Sequence, residues 1–110
     1  MVNDSVFAYV SDAVSDFVRV KVLDNSIVSF LKDEGFLYDT EDEEWFIQIS
    51  EDKKPYILQR LRDKDIYFSY GPGGWPPGAV FEYLREQNKV SGIYLAISWI
   101  NHEKYVITRR

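Results

Sequence analysis

The sequence predicts one α+β (mixed α/β) domain over residues 1–110, with a largely antiparallel sheet of about five to six strands and about three to four packed helices. Three observations predict it. Some segments alternate apolar and polar residues, which is typical of strands, and others repeat apolar residues at helical spacing. Hydrophobic residues make up 45% of 110 residues, which supplies one core and is too little for two.

The first two elements follow from the spacing of apolar residues. Residues 4–17 carry apolar side chains at intervals of one and three, which predicts an amphipathic helix capped by Asp4 or Ser5. A strand is the alternative for this segment, because serine and valine are poor helix formers. Residues 18–22 alternate valines with basic side chains, which predicts a half-buried strand.

A short helix and a hairpin are expected next. Asn25 or Ser26 is expected to cap the helix, and Gly35 is expected to end it in a left-handed conformation. Apolar runs at 36–38 and 45–49 then flank a polar stretch, which predicts a β-hairpin with acidic residues in its loop.

The second half alternates helices with strands. Asp52 as a cap and Pro55 in the first turn predict a helix, which buries a stripe of aliphatic residues. The stripe is Ile57, Leu58 and Leu61. The further elements are a strand at 66–70, a glycine- and proline-rich loop at 71–78, a helix with Val80, Phe81 and Leu84, and a hairpin of 93–100 and 105–108. The unbroken apolar run in 93–100 predicts the central strand, covered on both faces.

Composition excludes several classes of protein. The chain has no cysteine, so disulfides, thiolate nucleophiles and cysteine-ligated zinc are excluded. It shows neither a membrane-length apolar run nor a secretory signal pattern, so we expect a cytoplasmic protein without a membrane partner. The net charge of −5 argues against nucleic acid as a partner.

Charge is distributed unevenly along the chain. Residues 1–35 carry a net charge of −3, residues 36–52 carry −7 with no basic residue, and residues 53–110 carry +5. This polarity indicates that cationic molecules are the natural partners of the acidic segment.

The acidic segment is the main candidate binding site. It consists of Asp39, Glu41, Asp42, Glu43 and Glu44, followed by Trp45. Crowded like charges repel, so we expect a basic partner to relieve them and the neighbouring aromatic ring to anchor the contact. The alternative is a solvated hairpin loop that only promotes solubility. Calcium fits poorly, because the spacing departs from an EF-hand loop and its central glycine is absent.

The glycine- and proline-rich loop presents Trp75. Its prolines lack N–H groups and no Lys, Ser or Thr follows in P-loop order, so a phosphate cradle is excluded. Two interpretations remain for Trp75, which either anchors a partner from an exposed loop or folds back as a core plug.

The remaining polar candidates have simple explanations. A basic helix face could contact phosphates, with Tyr67 or Tyr70 stacking on bases, but pairing with the protein's own acids is the simpler interpretation. That face comprises Lys53, Lys54, Arg60, Arg62 and Lys64. The single histidine, His102, falls in a predicted surface turn, and no serine has a nucleophile-elbow pattern. We therefore expect no enzyme activity, cofactor or metal.

Three functions are compatible with these features. The leading interpretation is a small acidic protein-binding module, such as an immunity- or antitoxin-type inhibitor that covers a basic site on a nuclease or another nucleic-acid-binding protein. The first alternative is a self-associating structural or accessory domain, a homodimer closed by aromatic side chains. The second is a small enzyme or small-molecule binder with a pocket near Trp75 and residues 67–70.

Overall fold

The computed structural model describes residues 6–69, 76–99 and 105–109. Seven strands lie in this part of the chain: β1 (Ala8–Asp12), β2 (Phe17–Val22), β3 (Leu37–Asp39), β4 (Glu44–Gln48), β5 (Tyr67–Ser69), β6 (Leu95–Trp99) and β7 (Tyr105–Arg109). The described α-helices are α1 (Val28–Glu34), α2 (Lys54–Asp63) and α3 (Pro77–Glu86), and a 3₁₀ turn at Asn25–Ile27 precedes α1.

The described strands form one mixed sheet in the order β3-β4-β2-β1-β5-β6-β7. β5 pairs in parallel with β1 and with β6, and the other neighbours are antiparallel. Parallel neighbours need a crossover connection, which α3 supplies between β5 and β6. The α+β class and the largely antiparallel sheet are confirmed, and the three described α-helices agree with the expected three to four. The described sheet has seven strands instead of five to six, and two of its pairings are parallel.

The helix predicted over residues 4–17 is wrong, and the strand alternative applies. Ala8 and Val10 point into the core and Tyr9 points to the opposite face, as β1 requires. A tight turn follows, in which the carboxylate of Asp12 accepts the backbone N–H of Val14 at 2.9 Å. The helix-like spacing therefore combined apolar residues of β1 and of the turn with Phe17 at the start of β2.

The predicted central strand at 93–100 is displaced from the centre. β1 occupies the middle of the described sheet, and β6 lies next to the edge strand β7. The expectation that β6 is covered on both faces is confirmed, because Ala96 and Ile97 are both fully buried and belong to different apolar clusters. The unbroken apolar run therefore indicates that this strand is covered on both faces, but it does not indicate that the strand lies at the centre of the sheet.

The main core lies between the described helices and one face of the sheet. It includes the buried aliphatic and aromatic residues of the helices, which are Leu31 of α1, Ile57, Leu58 and Leu61 of α2, and Val80, Phe81 and Leu84 of α3. A smaller cluster of Val6, Tyr67 and Ile97 lies on the other face of the sheet. None of the described helices has the length and apolar character needed to cross a bilayer.

The helix ends follow local chemistry with two corrections. Gly35 ends α1 with a φ of 101°, as predicted. Asp24, rather than Asn25 or Ser26, provides the side-chain cap of the turn before α1, by accepting the N–H of Ser26 at 2.9 Å. Pro55 does lie in the first turn of α2, but Asp52 does not cap that helix.

Candidate functional site

The predicted acidic hairpin is present and its turn is built by Asp39. We define the acidic hairpin as residues 39–44, in which Asp39 pairs with Glu44 across β3 and β4. The Asp39 carboxylate accepts the backbone N–H groups of Glu41 at 3.0 Å and Asp42 at 3.4 Å. Glu43 adopts a left-handed φ of 54°, which closes the turn. The Asp39 side chain therefore fixes the backbone of the turn.

The pKa of the Asp39 carboxyl lies below its ordinary value. Desolvation raises this pKa, but the backbone N–H groups of Asp42 and Glu41 and the guanidinium of Arg19 outweigh it. Asp39 is therefore charged at neutral pH and holds both the turn and Arg19.

The chain itself partly neutralises the hairpin through Arg19 of β2. The Arg19 guanidinium lies 3.2 Å from the Asp39 carboxylate, 3.6 Å from Asp42 and 3.7 Å from Glu44. Arg19 therefore already offsets part of the repulsion among these three acids, and relief of the cluster by a basic partner stays a prediction. Glu41 and Glu43 are exposed, and no described cation lies within ion-pair distance of either carboxylate.

Trp45 and Phe46 point to opposite faces of the sheet. Trp45 is half-buried against the main core, and its ring centroid lies 5.2 Å from that of Tyr38. Phe46 lies on the face away from the helices, 6.2 Å from the ring of Phe17 and 5.5 Å from the guanidinium of Arg19. Trp45 is therefore held by the core, and the exposed aromatic contacts near the hairpin come from other residues.

We name the helix-free region beside the hairpin the acidic–aromatic surface. Its members are Phe17, Arg19, Leu37, Phe46 and the acidic hairpin. The strand register places Leu37 opposite Phe46, and Phe46 opposite Arg19. Phe17 and Leu37 are 38% and 63% exposed. Sequence reasoning missed both residues, although strand alternation outward from the Asp39–Glu44 pair would have placed Leu37 opposite Phe46.

A groove opens on the helix side of the same hairpin. Its volume is about 1130 Å³, and it lies between α1, the end of β2 and the β3–β4 hairpin. Trp45, Tyr38, Glu43 and two lysines, Lys21 and Lys32, are among its lining residues. Leu37 and Glu43 line the groove as well, so it adjoins the acidic–aromatic surface along the hairpin.

The predicted basic helix face is not a single surface. Lys54 is 1% exposed, so its inclusion in an exposed face is wrong. Arg60 pairs with the carboxylate of Glu34, and Arg62 pairs with Asp63 at 3.1 Å. The pKa of Arg60 is raised, chiefly by its hydrogen bond to Glu34. For Arg60 and Arg62, pairing with the protein's own acids is confirmed.

Three candidates lie outside the described residues, namely Tyr70, Trp75 and His102. The structure describes the glycine- and proline-rich loop from Pro76 onward, where Pro77 and Gly78 begin α3 and are buried. Within the described ranges, no group of three or more metal-ligating side chains is placed to hold a metal ion.

No family model, no curated protein and no solved structure matches this chain. Its function is therefore inferred from the geometry of the two surfaces beside the acidic hairpin.

Proposed function

We propose that this chain is a protein-binding module whose acidic–aromatic surface docks on a basic region of another protein. The observation that carries the proposal is that exposed Phe17 and Leu37 lie beside Phe46 on one face of the sheet. The β3–β4 turn next to this face carries the exposed side chains of Glu41 and Glu43. Exposed apolar side chains of this size are ordinary when scattered singly, but here they adjoin Phe46 and a charged rim. That arrangement has the anatomy of a protein interface, with an apolar centre and a polar rim.

Charge favours a basic partner over a second copy of the chain. Residues 36–52 carry a net charge of −7, so two copies that met through this surface would bring two acidic hairpins together. A basic protein would instead be attracted to Glu41 and Glu43, and such attraction raises association rates strongly at low salt. A homodimer through the same surface is the second candidate, and the measured mass in dilute solution distinguishes it.

The finer proposal is an inhibitor of the immunity or antitoxin type. A small acidic domain that covers the basic site of a nuclease uses the same two features, a charged rim for rapid encounter and apolar contacts for slow release. The net charge of −5 and the acidic–aromatic surface support this class of partner.

The test begins with a pull-down from source-cell lysate at low and at physiological salt, followed by kinetics with the retained protein. We expect the double variant Glu41→Gln/Glu43→Gln to slow association about threefold to tenfold at low salt and to change dissociation little. These residues are chosen because neither contacts Arg19, so the turn stays intact.

The matched control is Asp33→Asn/Glu86→Gln, which removes two exposed acids away from the surface. Equal slowing by both double variants would mean that total charge, and not the hairpin, steers the encounter. Phe17→Ser should speed dissociation. A retained protein that is acidic, or that binds both Phe17→Ser and the hairpin variant normally, would overturn the proposal.

A further inference from the structure

β3 lies at the edge of the described sheet, beside the groove between α1 and the β3–β4 hairpin. Among the described strands, its one neighbour is β4. In an antiparallel pair, every second residue directs its backbone N–H and C=O away from the partner strand, so part of the β3 backbone faces outward. A strand edge of this kind can pair with a further strand from another chain.

The side chains of β3 are exposed on both faces of the sheet. Leu37 is 63% exposed and lies opposite Phe46 on the helix-free face. Tyr38 is 47% exposed and lies opposite Trp45 on the helix side, where the two ring centroids are 5.2 Å apart. The described helices therefore leave this edge accessible from both faces of the sheet.

The groove continues this edge on the helix side. Tyr38 and Trp45 line it from the sheet, and Val28, Ser29 and Lys32 line it from α1. Its volume of about 1130 Å³ is at the upper end for pockets that bind drug-sized molecules, so it can hold more than one side chain. The ammonium of Lys32, 6.0 Å from the centroid of the Trp45 ring, repels a second cation. The groove therefore favours apolar side chains.

The helix-free face of the same edge favours basic side chains. Asp39 ends β3 and pairs with Glu44 of β4. Together with Asp42, these carboxylates share the guanidinium of Arg19, which leaves the group with a net negative charge. The stem of a lysine or arginine can pack on exposed Leu37 while its cationic end reaches these acids.

We propose that the partner contributes an extended segment of alternating basic and apolar residues, which adds to the sheet as a strand beside β3. Its apolar side chains enter the groove beside Tyr38, and its basic side chains lie on the side of Asp39. Alternate residues of a strand point to opposite faces, so one segment satisfies both chemistries. β3 has three residues, so side chains supply much of the affinity and the specificity. This inference rests on the proposed function and names the part of the partner that binds.

The experiment uses the full chain and a blocked heptapeptide that alternates lysine with valine. Calorimetry measures its affinity, and ¹H–¹⁵N spectra with amide hydrogen exchange locate its site. We expect saturable binding, with slower exchange of a backbone N–H in residues 37–39. A second heptapeptide, in which glutamate replaces each lysine, keeps the alternation and reverses the charge. It should bind at least about tenfold more weakly.

Two N-methylated forms of the lysine–valine peptide test backbone pairing directly. One carries a methyl group on the backbone nitrogen of every valine and the other on that of every lysine, so each form lacks the N–H donors of one strand edge. A peptide that pairs with β3 through one edge should lose at least about tenfold in affinity in one form and much less in the other. Affinity that is unchanged in both forms would exclude strand addition.

Tyr38→Ser should weaken the lysine–valine peptide at least about fivefold, because it removes an aromatic ring from the groove. The matched control is Tyr83→Ser on α3, since Tyr83 is 46% exposed and does not line the groove. This control should change the affinity less than about twofold. The Tm of both variants is measured as well, so that a loss of folding is recognised.

Three further results would overturn the proposal. They are no saturable response to the lysine–valine peptide up to about 1 mM, shifts confined to the acidic turn with unchanged exchange in β3, and equal losses in Tyr38→Ser and Tyr83→Ser. Each would leave the protein-binding proposal standing, because that one is tested with the retained protein on Glu41, Glu43 and Phe17. Strand addition by the peptide to a chain that retains an acidic protein would show the reverse, with the edge site present and the proposed function wrong.

Discussion

Lys54 and Arg19 each contact several oxygen atoms, but in different surroundings. The Lys54 ammonium donates to the carbonyl of Ala13 at 2.7 Å, to the carbonyl of Ser15, and to Glu51 at 3.0 Å. Its side chain is almost fully buried, whereas the side chain of Arg19 is 26% exposed. Water competes for Arg19 and screens its ion pairs, but it does not reach Lys54.

Lys54 belongs to the part of the molecule that holds the fold, and Arg19 to the part that is available for binding. Lys54 begins α2 and ties it to the β1–β2 turn, in which Ser15 has a left-handed φ of 62°. All three ammonium hydrogens have acceptors, so this burial is satisfied. Arg19 instead binds side chains of a surface turn, whose remaining acids are exposed. Substitutions at the hairpin should therefore change binding at little cost in stability.

The largest effect is expected from Lys54→Met, which keeps the side-chain volume but removes the three hydrogen bonds. The buried carbonyl oxygen of Ala13 is then left unpaired, so we expect the free energy of unfolding to fall by about 3 kcal/mol. Urea denaturation measures it, with Lys53→Met as the exposed neighbouring control, expected within about 0.5 kcal/mol. Equal small losses in the two variants would show that burial does not set the strength of the Lys54 contacts.

A smaller effect is expected from Arg19→Gln, which leaves Asp39, Asp42 and Glu44 without their shared cation. We expect a loss of about 1 kcal/mol in low salt, because the ion pairs are partly exposed to water. The loss should shrink as salt screens the repulsion among the acids. Urea denaturation at two salt concentrations measures it, with Lys54→Met measured alongside. A salt-independent loss as large as that of Lys54→Met would contradict the distinction drawn between the two cations.

The smallest effect concerns Asp39, whose depressed pKa makes its contribution to stability dependent on pH. The pKa of an aspartate in the unfolded chain is about 3.9. The contribution of Asp39 to stability is therefore present above that pH and is lost as the pH falls through its lower pKa in the folded protein. Asp39→Asn keeps the oxygen that accepts the turn's N–H groups but removes the charge. The native chain should therefore exceed Asp39→Asn in stability near neutrality, and the gap should close below about pH 4.

Urea denaturation of the native protein and of the Asp39→Asn variant, between neutral and acidic pH, measures this difference in the free energy of unfolding. Asp24 and Asp52 also have lowered pKa values, caused chiefly by hydrogen bonds from Ser26 and Ser50, and they affect both chains equally. The difference between the chains therefore isolates Asp39. A gap that widens on acidification would contradict the assigned direction of the shift.

Several elements could be predicted because their signals are local. The end of α1 needed a residue that adopts a positive φ, and Gly35 supplies it. The hairpin needed two strand-like runs around a polar turn, and the buried stripes of α2 and α3 follow the helical period. The β1–β2 turn also has a local signal in Asp12, whose side chain accepts the N–H of Val14, but the spacing of the apolar residues around it is the same as in an amphipathic helix.

The candidate site could be predicted less completely, because its contacts join distant parts of the chain. The sequence correctly places these acids in a β-hairpin, but Arg19 lies 20 residues from Asp39, and no local pattern links the two. Lys54 was assigned to an exposed basic face, since nothing in its neighbourhood reveals that the carbonyls of residues 13 and 15 converge on it.

The sequence by itself determined the α+β class, most elements, the acidic hairpin and its excess of negative charge. Each depends on composition or on the spacing of residues close together in the chain. The tertiary structure alone decided which charges are paired, which face each aromatic ring occupies, and that the groove lies beside the edge strand β3. The physical reason is that the energy of a charge or a ring depends on its solvent exposure and on its neighbours. Strand pairing places residues that are distant in the sequence next to one another, so these neighbours are not visible in the local sequence.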